Sequence, residues 1–159
     1  MSETAKVNLK NGLYKIEVIE DFVSLSNEMY AKMPKCTHFG CEINRDSVTS
    51  YFSNPQRFKE CFCFVYFAND ELVSYIMWIK NYDARVNKKI IQEYIWLSNS
   101  DAKGYGIKLF KKSLEYIKNI YKFEIILVGN SEKNPKIEKF YKKNGFKLEG
   151  DLFYRSDIM

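Results

Sequence analysis

The feature that most constrains this chain is an apolar run, Ile90–Leu97, that leads through Ala102-Lys103-Gly104-Tyr105-Gly106-Ile107 into an amphipathic stretch, Ile107–Ile120. A strand that turns on glycines into a helix makes an anion site. Glycine lets the backbone approach a ligand closely. The first helical N–H groups lack intrahelical partners and carry the positive end of the helix dipole. A phosphate or pyrophosphate is the expected guest. Two common phosphate motifs do not fit. A dinucleotide fingerprint needs a third glycine three residues after Gly106, and that residue is Leu109. A P-loop needs two glycines five apart followed by Lys and Ser or Thr, and no such run occurs. Valine at either glycine is expected to block a diphosphate and to leave the protein folded.

A second signal lies downstream, in Asn134-Pro135-Lys136-Ile137-Glu138-Lys139-Phe140-Tyr141-Lys142-Lys143-Asn144-Gly145-Phe146. Asn134 suits an N-cap and Pro135 the first helical position. Ile137, Phe140 and Tyr141 share a face. Asn144-Gly145 is a C-terminal stop.

The elements expected around these signals are a strand at 12–19, a helix at 20–33 with Phe22, Leu25, Met29 and Met33 on its stripe, and a loop at 34–44. A second helix is expected at 45–54 with Val48, Tyr51 and Phe52. Strands at 61–68 and 72–79 are joined by a tight turn at Asn69-Asp70-Glu71. A polar turn follows at 82–89. The main helix carries Ile107, Phe110, Leu114 and Ile117 on one stripe. A buried strand at 123–128 and a terminal hairpin, 146–148 with 152–158, complete the order. Antiparallel strands followed by a strand–helix–strand unit predict an α+β chain with a central mixed, mostly antiparallel sheet of about seven strands and about four flanking helices. At 159 residues the chain is expected to be a single domain over 1–159.

The net charge of +5 is modest, and the lysines are spread over helix surfaces rather than gathered in a stripe, so no nucleic-acid partner is expected. No run approaches the roughly 18 apolar residues that span a membrane, and no secretory h-region is evident. The expectation is a cytoplasmic protein without a membrane partner. Cys36, Cys41, Cys61 and Cys63, with His38 nearby, lack the usual zinc-knuckle spacing, so reduced thiols and no metal are expected.

Taken together, the strand, the Gly-x-Gly helix, the next strand, the Asn-started helix with its tyrosine and the Gly145-Phe146 step resemble the GNAT superfamily of acyl-CoA-dependent N-acyltransferases. The resemblance covers residues 90–150. It implies acetyl-CoA as co-substrate and a small-molecule or peptide amine as acceptor, in a monomer or a homodimer. It also implies that the strand before the glycine turn splays from the strand after the main helix. The acyl-pantetheine arm then pairs with backbone groups of Tyr94, Ile95 and Trp96, whose N–H groups could hold the oxyanion. By the same resemblance, Asp101, Ala102, Lys103, Gly104, Tyr105, Gly106 and Ile107 surround the pyrophosphate and Asn134 touches the coenzyme arm. Asp101 stands where the family usually has Gln or Arg, and a carboxylate there is unfavourable unless it caps the helix. Tyr141 is the expected general acid toward the leaving thiolate, whose conjugate thiol has a pKa of about 8.5; its other role is that of a core aromatic. Glu93 is the candidate base, and His38 a lesser one. The alternative is a non-catalytic acyl-CoA-binding regulatory module or an interaction domain with a decayed site.

Overall fold

The strand at Cys61–Ala68 is buried along its whole length, which means that both faces of its sheet are covered. The computed structural model describes residues 11–38, 41–99, 102–130 and 133–150. It divides into two units, one containing residues up to Pro34 together with Arg45–Val128, the other containing Lys35–Asn44 and the chain from Gly129 onward.

In the first unit the order is β1 (Gly12–Ile16), α1 (Ile19–Ala31), α2 (Arg45–Phe52), α3 (Pro55–Phe58), β4 (Cys61–Ala68), β5 (Glu71–Asp83), β6 (Lys88–Ser98), α4 (Tyr105–Lys118) and β7 (Ile125–Leu127). The second unit holds β2 (Thr37–His38), β3 (Cys41–Glu42) and α5 (Pro135–Lys143). The sheet of the first unit has the strand order β1-β4-β5-β6-β7. β1, β4, β5 and β6 are antiparallel neighbours, and β6 pairs β7 in parallel. This is the expected mixed, mostly antiparallel α+β sheet, with five strands described. Of the expected terminal hairpin, residues 146–148 form no strand and 152–158 lie outside the described residues.

Alternation along β4 separates two cores. Cys61, Cys63, Val65 and Phe67 join Phe22, Leu25 and Met29 of α1, Phe52 of α2, and Leu72, Tyr75 and Met77 of β5. The opposite face packs on α4: Phe64 meets Tyr116, Tyr66 meets Tyr105, and both Trp78 and Trp96 meet Phe110. Burying a large apolar side chain contributes about 1.5–3 kcal/mol, so these two layers dominate the stability of the unit. The Trp78 indole N–H donates to the Ser113 hydroxyl at 2.8 Å, which satisfies a polar group inside the second core.

Several expectations shift for local reasons. The β4–β5 turn is confined to Asn69 and Asp70, both at positive φ, as a two-residue turn of primed type requires. The next hairpin is longer than expected, because β5 runs to Asp83 and β6 begins at Lys88. The Asp83 carboxylate takes the backbone N–H and the guanidinium of Arg85 and closes the shorter turn. The loop at 34–44 contains the small β2–β3 hairpin. β7 is not buried, since it is an edge strand that pairs only with β6 among the described residues. On α4 the buried stripe is Gly106, Leu109, Phe110, Ser113, Leu114 and Ile117, whereas Ile107 is exposed. Ile107 lies one residue, about 100° of helix rotation, away from the Gly106 position. Tyr51 of α2 is likewise exposed, and Thr49 and Phe52 face inward. No helix among the described residues is long and apolar enough to cross a membrane.

Candidate active site

The glycine turn joins β6 to α4. Ala102 is buried and its N–H donates to the Asn99 carbonyl at 3.1 Å, so that N–H is already satisfied within the turn. Lys103 and Gly104 both have positive φ, at 43° and 92°. A non-glycine residue held there stores about 1–3 kcal/mol of strain, a cost that clusters at ligand sites. Gly104 is the N-cap of α4 and makes no side-chain cap. Among the described residues, nothing lies within 4 Å of a Cβ added to Gly104, so the space beside this backbone is open. The N–H groups of Tyr105, Gly106 and Ile107 form the first turn that follows. Tyr105 lies flat on Tyr66, ring centroids 4.6 Å apart, and the Lys108 ammonium sits 5.7 Å from the same ring. Asp101 lies outside the described residues.

Gly106 serves a different purpose from Gly104. Its φ is ordinary, but a Cβ on it would lie 2.2 Å from Ser98 Oγ and 3.2 Å from Ser98 Cβ. Ser98 and Ser74 share a hydrogen bond of 2.8 Å, and Ser74 also donates to the Leu97 carbonyl. Gly106 is therefore the point at which α4 packs down onto the end of β6. Valine there would press on Ser98, so its effect would not be confined to the ligand as expected.

β6 departs from its neighbours in two ways. Its parallel ladder with β7 consists of Ile90↔Ile125, Ile91↔Ile126 and Gln92↔Leu127 and ends there. Beyond Gln92, β6 continues to Ser98, whereas β7 ends at Leu127. On the other side Trp78 faces Glu93 while Met77 faces Ile95, so Tyr94 is the extra residue of a β-bulge. Residues opposite one another share a face. Glu93 thus lies on the α4 side with Trp78, whereas the Tyr94 ring packs at 5.0 Å and 72° on Phe52 of α2. Burial, with Tyr51 and Cys61 close by, holds the Tyr94 phenol above its ordinary value.

In the second unit, Asn134 Oδ1 accepts the Lys136 N–H at 2.9 Å and caps α5, while Asn130 clamps both the N–H and the carbonyl of Asn134. Tyr141 is buried among Phe140 and Phe146, and its hydroxyl donates to the Gly129 carbonyl at 3.3 Å. The helix ends in a Schellman arrangement: Phe146 N–H to Tyr141 C=O, Gly145 N–H to Lys142 C=O, Gly145 at φ 86°. The spacing of Tyr141, Gly145 and Phe146 is thus the spacing of a helix stop with its apolar contact. His38 lies on β2, on the exposed hairpin. Glu93–Trp96 and Ala102–Ile107 belong to the first unit, and Asn134 and Tyr141 to the second. Sequence reasoning missed the Tyr94 bulge and the Ser98–Gly106 contact, neither of which leaves a periodic signal.

The profile of the acetyltransferase (GNAT) family matches residues 24–146. The chain belongs to this family. No curated protein matches it by sequence. Among solved structures it is similar to a probable acetyltransferase, with 12% identity, TM-score 0.66, and 93% of this chain and 97% of that one covered. A predicted acetyltransferase with acetyl-CoA from Clostridium acetobutylicum gives 15%, 0.65, 92% and 96%. An aminoglycoside acetyltransferase from an uncultured soil metagenomic sample, in complex with trehalose, gives 13%, 0.64, 93% and 95%. At these identities the structural likeness concerns the fold, and family membership rests on the profile. The co-substrate of the GNAT family is acetyl-CoA, and its chemistry is acyl transfer.

Proposed function

We propose that this GNAT protein transfers an acetyl group from acetyl-CoA to a primary amine by direct attack in a ternary complex, with residues 1–159 acting as one catalytic domain. The observation that carries the reading is the edge of β6 beyond the end of its ladder with β7 at Gln92, an edge that runs on to Ser98 ahead of the open glycine turn at Gly104. An extended pantetheine arm can pair with such an edge while its pyrophosphate meets the N–H groups of Tyr105, Gly106 and Ile107.

In this reading the thioester carbonyl lies against the backbone N–H groups of Tyr94, Ile95 and Trp96. These groups stabilise the oxyanion that forms when the amine nitrogen bonds the acyl carbon. The C–S bond then breaks, and the phenol of Tyr141 donates its proton to the departing thiolate. The amine must shed a proton, and Glu93, whose side chain lies on the α4 side, is the carboxylate assigned to receive it through water. Asn134 is assigned to the coenzyme arm through its amide. Thiol release from acetyl-CoA over a panel of primary amines tests the reading. A ternary mechanism gives intersecting double-reciprocal plots, whereas parallel plots would indicate a covalent acyl-enzyme. Coenzyme binding with no thiol release on any amine would favour a regulatory module.

A further inference from the structure

The bulge on β6 turns a tyrosine toward the face of the sheet opposite the glycine turn. Tyr94 lies against Phe52, yet it remains 44% exposed, and Tyr51 on the same helix is 52% exposed. Phe52 is buried and sits T-shaped against Tyr51 at 5.0 Å. Three rings from α2 and β6 therefore form one continuous patch, anchored in the core through Phe52 and open to solvent through the two phenols. The Arg57 guanidinium lies 3.8 Å over the Tyr51 ring and places a fixed positive charge at its border.

This patch adjoins the backbone assigned to the thioester, since Tyr94 belongs to both. The glycine turn assigned to the pyrophosphate heads α4, the pantetheine arm is assigned to the β6 edge, and α4 covers its own face of the sheet, so an amine attacking the acyl carbon has the opposite face left to approach from. There it meets Tyr94. An exposed aromatic patch offers a second ring a stacking or edge contact beyond simple area burial. The guanidinium at its border disfavours an acceptor carrying several ammonium charges. Resting on the acyl-transfer reading, we propose that Tyr94, supported by Tyr51, is a specificity-determining wall that selects a primary amine joined by a short linker to an aromatic ring. The products are the N-acetylated arylalkylamine and free CoA, and the proton lost by the amine balances the proton gained by the thiolate.

The test is steady-state kinetics at saturating acetyl-CoA with phenethylamine, propylamine, spermidine and kanamycin, on the wild type and on Tyr94→Ala, Tyr94→Phe and Tyr51→Ala. Each protein is also checked for a thermal shift with acetyl-CoA. The wild type should favour phenethylamine over the other three in kcat/KM by at least about tenfold. Tyr94→Ala should raise KM for phenethylamine about tenfold more than it raises KM for propylamine, with the loss in KM rather than kcat. Tyr94→Phe should keep the preference, and Tyr51→Ala should weaken it. A normal acetyl-CoA shift with no preference for phenethylamine, or with no turnover of it, overturns the wall. So does an equal effect of Tyr94→Ala on all amines. A wild type that gives no acetyl-CoA shift overturns the acyl-transfer reading itself.

Discussion

Gly106 sits on the buried side of the first turn of α4, where an added Cβ would lie 2.2 Å from Ser98 Oγ. Gly106→Ala should destabilise the protein by about 1–3 kcal/mol, the usual cost of overpacking. Ser98→Ala should recover part of that loss, because it removes the atom in closest contact. Thermal melts of the wild type, Gly106→Ala, Ser98→Ala and the double variant measure this, and an unchanged melting temperature for Gly106→Ala would contradict the contact. Gly104 predicts the complementary result. Valine there is strained at φ 92° but its Cβ meets no described neighbour, so its main effect should be on acetyl-CoA affinity. Tyr141→Phe should lower the rate of acetyl transfer about 100-fold with little change in acetyl-CoA affinity, as expected for loss of a general acid. An unchanged rate with chemistry limiting would remove the phenol from the mechanism. Both glycines and this tyrosine were legible as a pattern. What the pattern could not separate was a glycine required by packing from one that leaves room for a ligand, because that difference depends on a serine eight residues away on another element.

At the scale of elements, the two-residue turn at Asn69-Asp70 and the inward stripe of α1 were legible, since each depends on local chemistry alone. The extent of β5 and β6 was not. Tyr82 and Asp83 look like turn residues, but they extend the hairpin into solvent and are closed by Arg85. The bulge at Tyr94 was also hidden, because Gln92 and Glu93 precede it, apolar residues follow it, and one extra residue leaves no periodic mark. β4 carries a separate consequence. Cys61 and Cys63 face the core with α1, and burial pushes the Cys61 thiol up to about 12, with Glu60 adding to the rise and Lys80 opposing it. Cys63 is raised as well, again chiefly by burial. A thiol raised in the folded state stays protonated there while the unfolded chain ionises. Its stabilising contribution is therefore whole below pH ~8.5 and declines as pH rises toward the folded value. Melting temperature should fall above about pH 9, and Cys61→Ala should make that fall shallower. Below that range a thiol reagent at pH 8 should modify Cys41, which is exposed, far faster than Cys61 or Cys63, and equal rates would contradict the packing of β4.

For the whole molecule, the sequence order was enough to reach the GNAT fold, because β6, α4, β7 and α5 each carry their own boundary signals. The face proposed for the acceptor was not legible. It depends on which face of β6 a bulged side chain takes, and on which helix it then meets. Coenzyme binding is tested most directly by a thermal melt with acetyl-CoA. At about 100-fold its Kd, acetyl-CoA should stabilise the native state by about 2.7 kcal/mol. For a chain of this length that is a rise of roughly 5–11 °C. Free CoA should give nearly the same shift, and adenosine far less. No shift with acetyl-CoA or CoA at millimolar concentration would contradict the account.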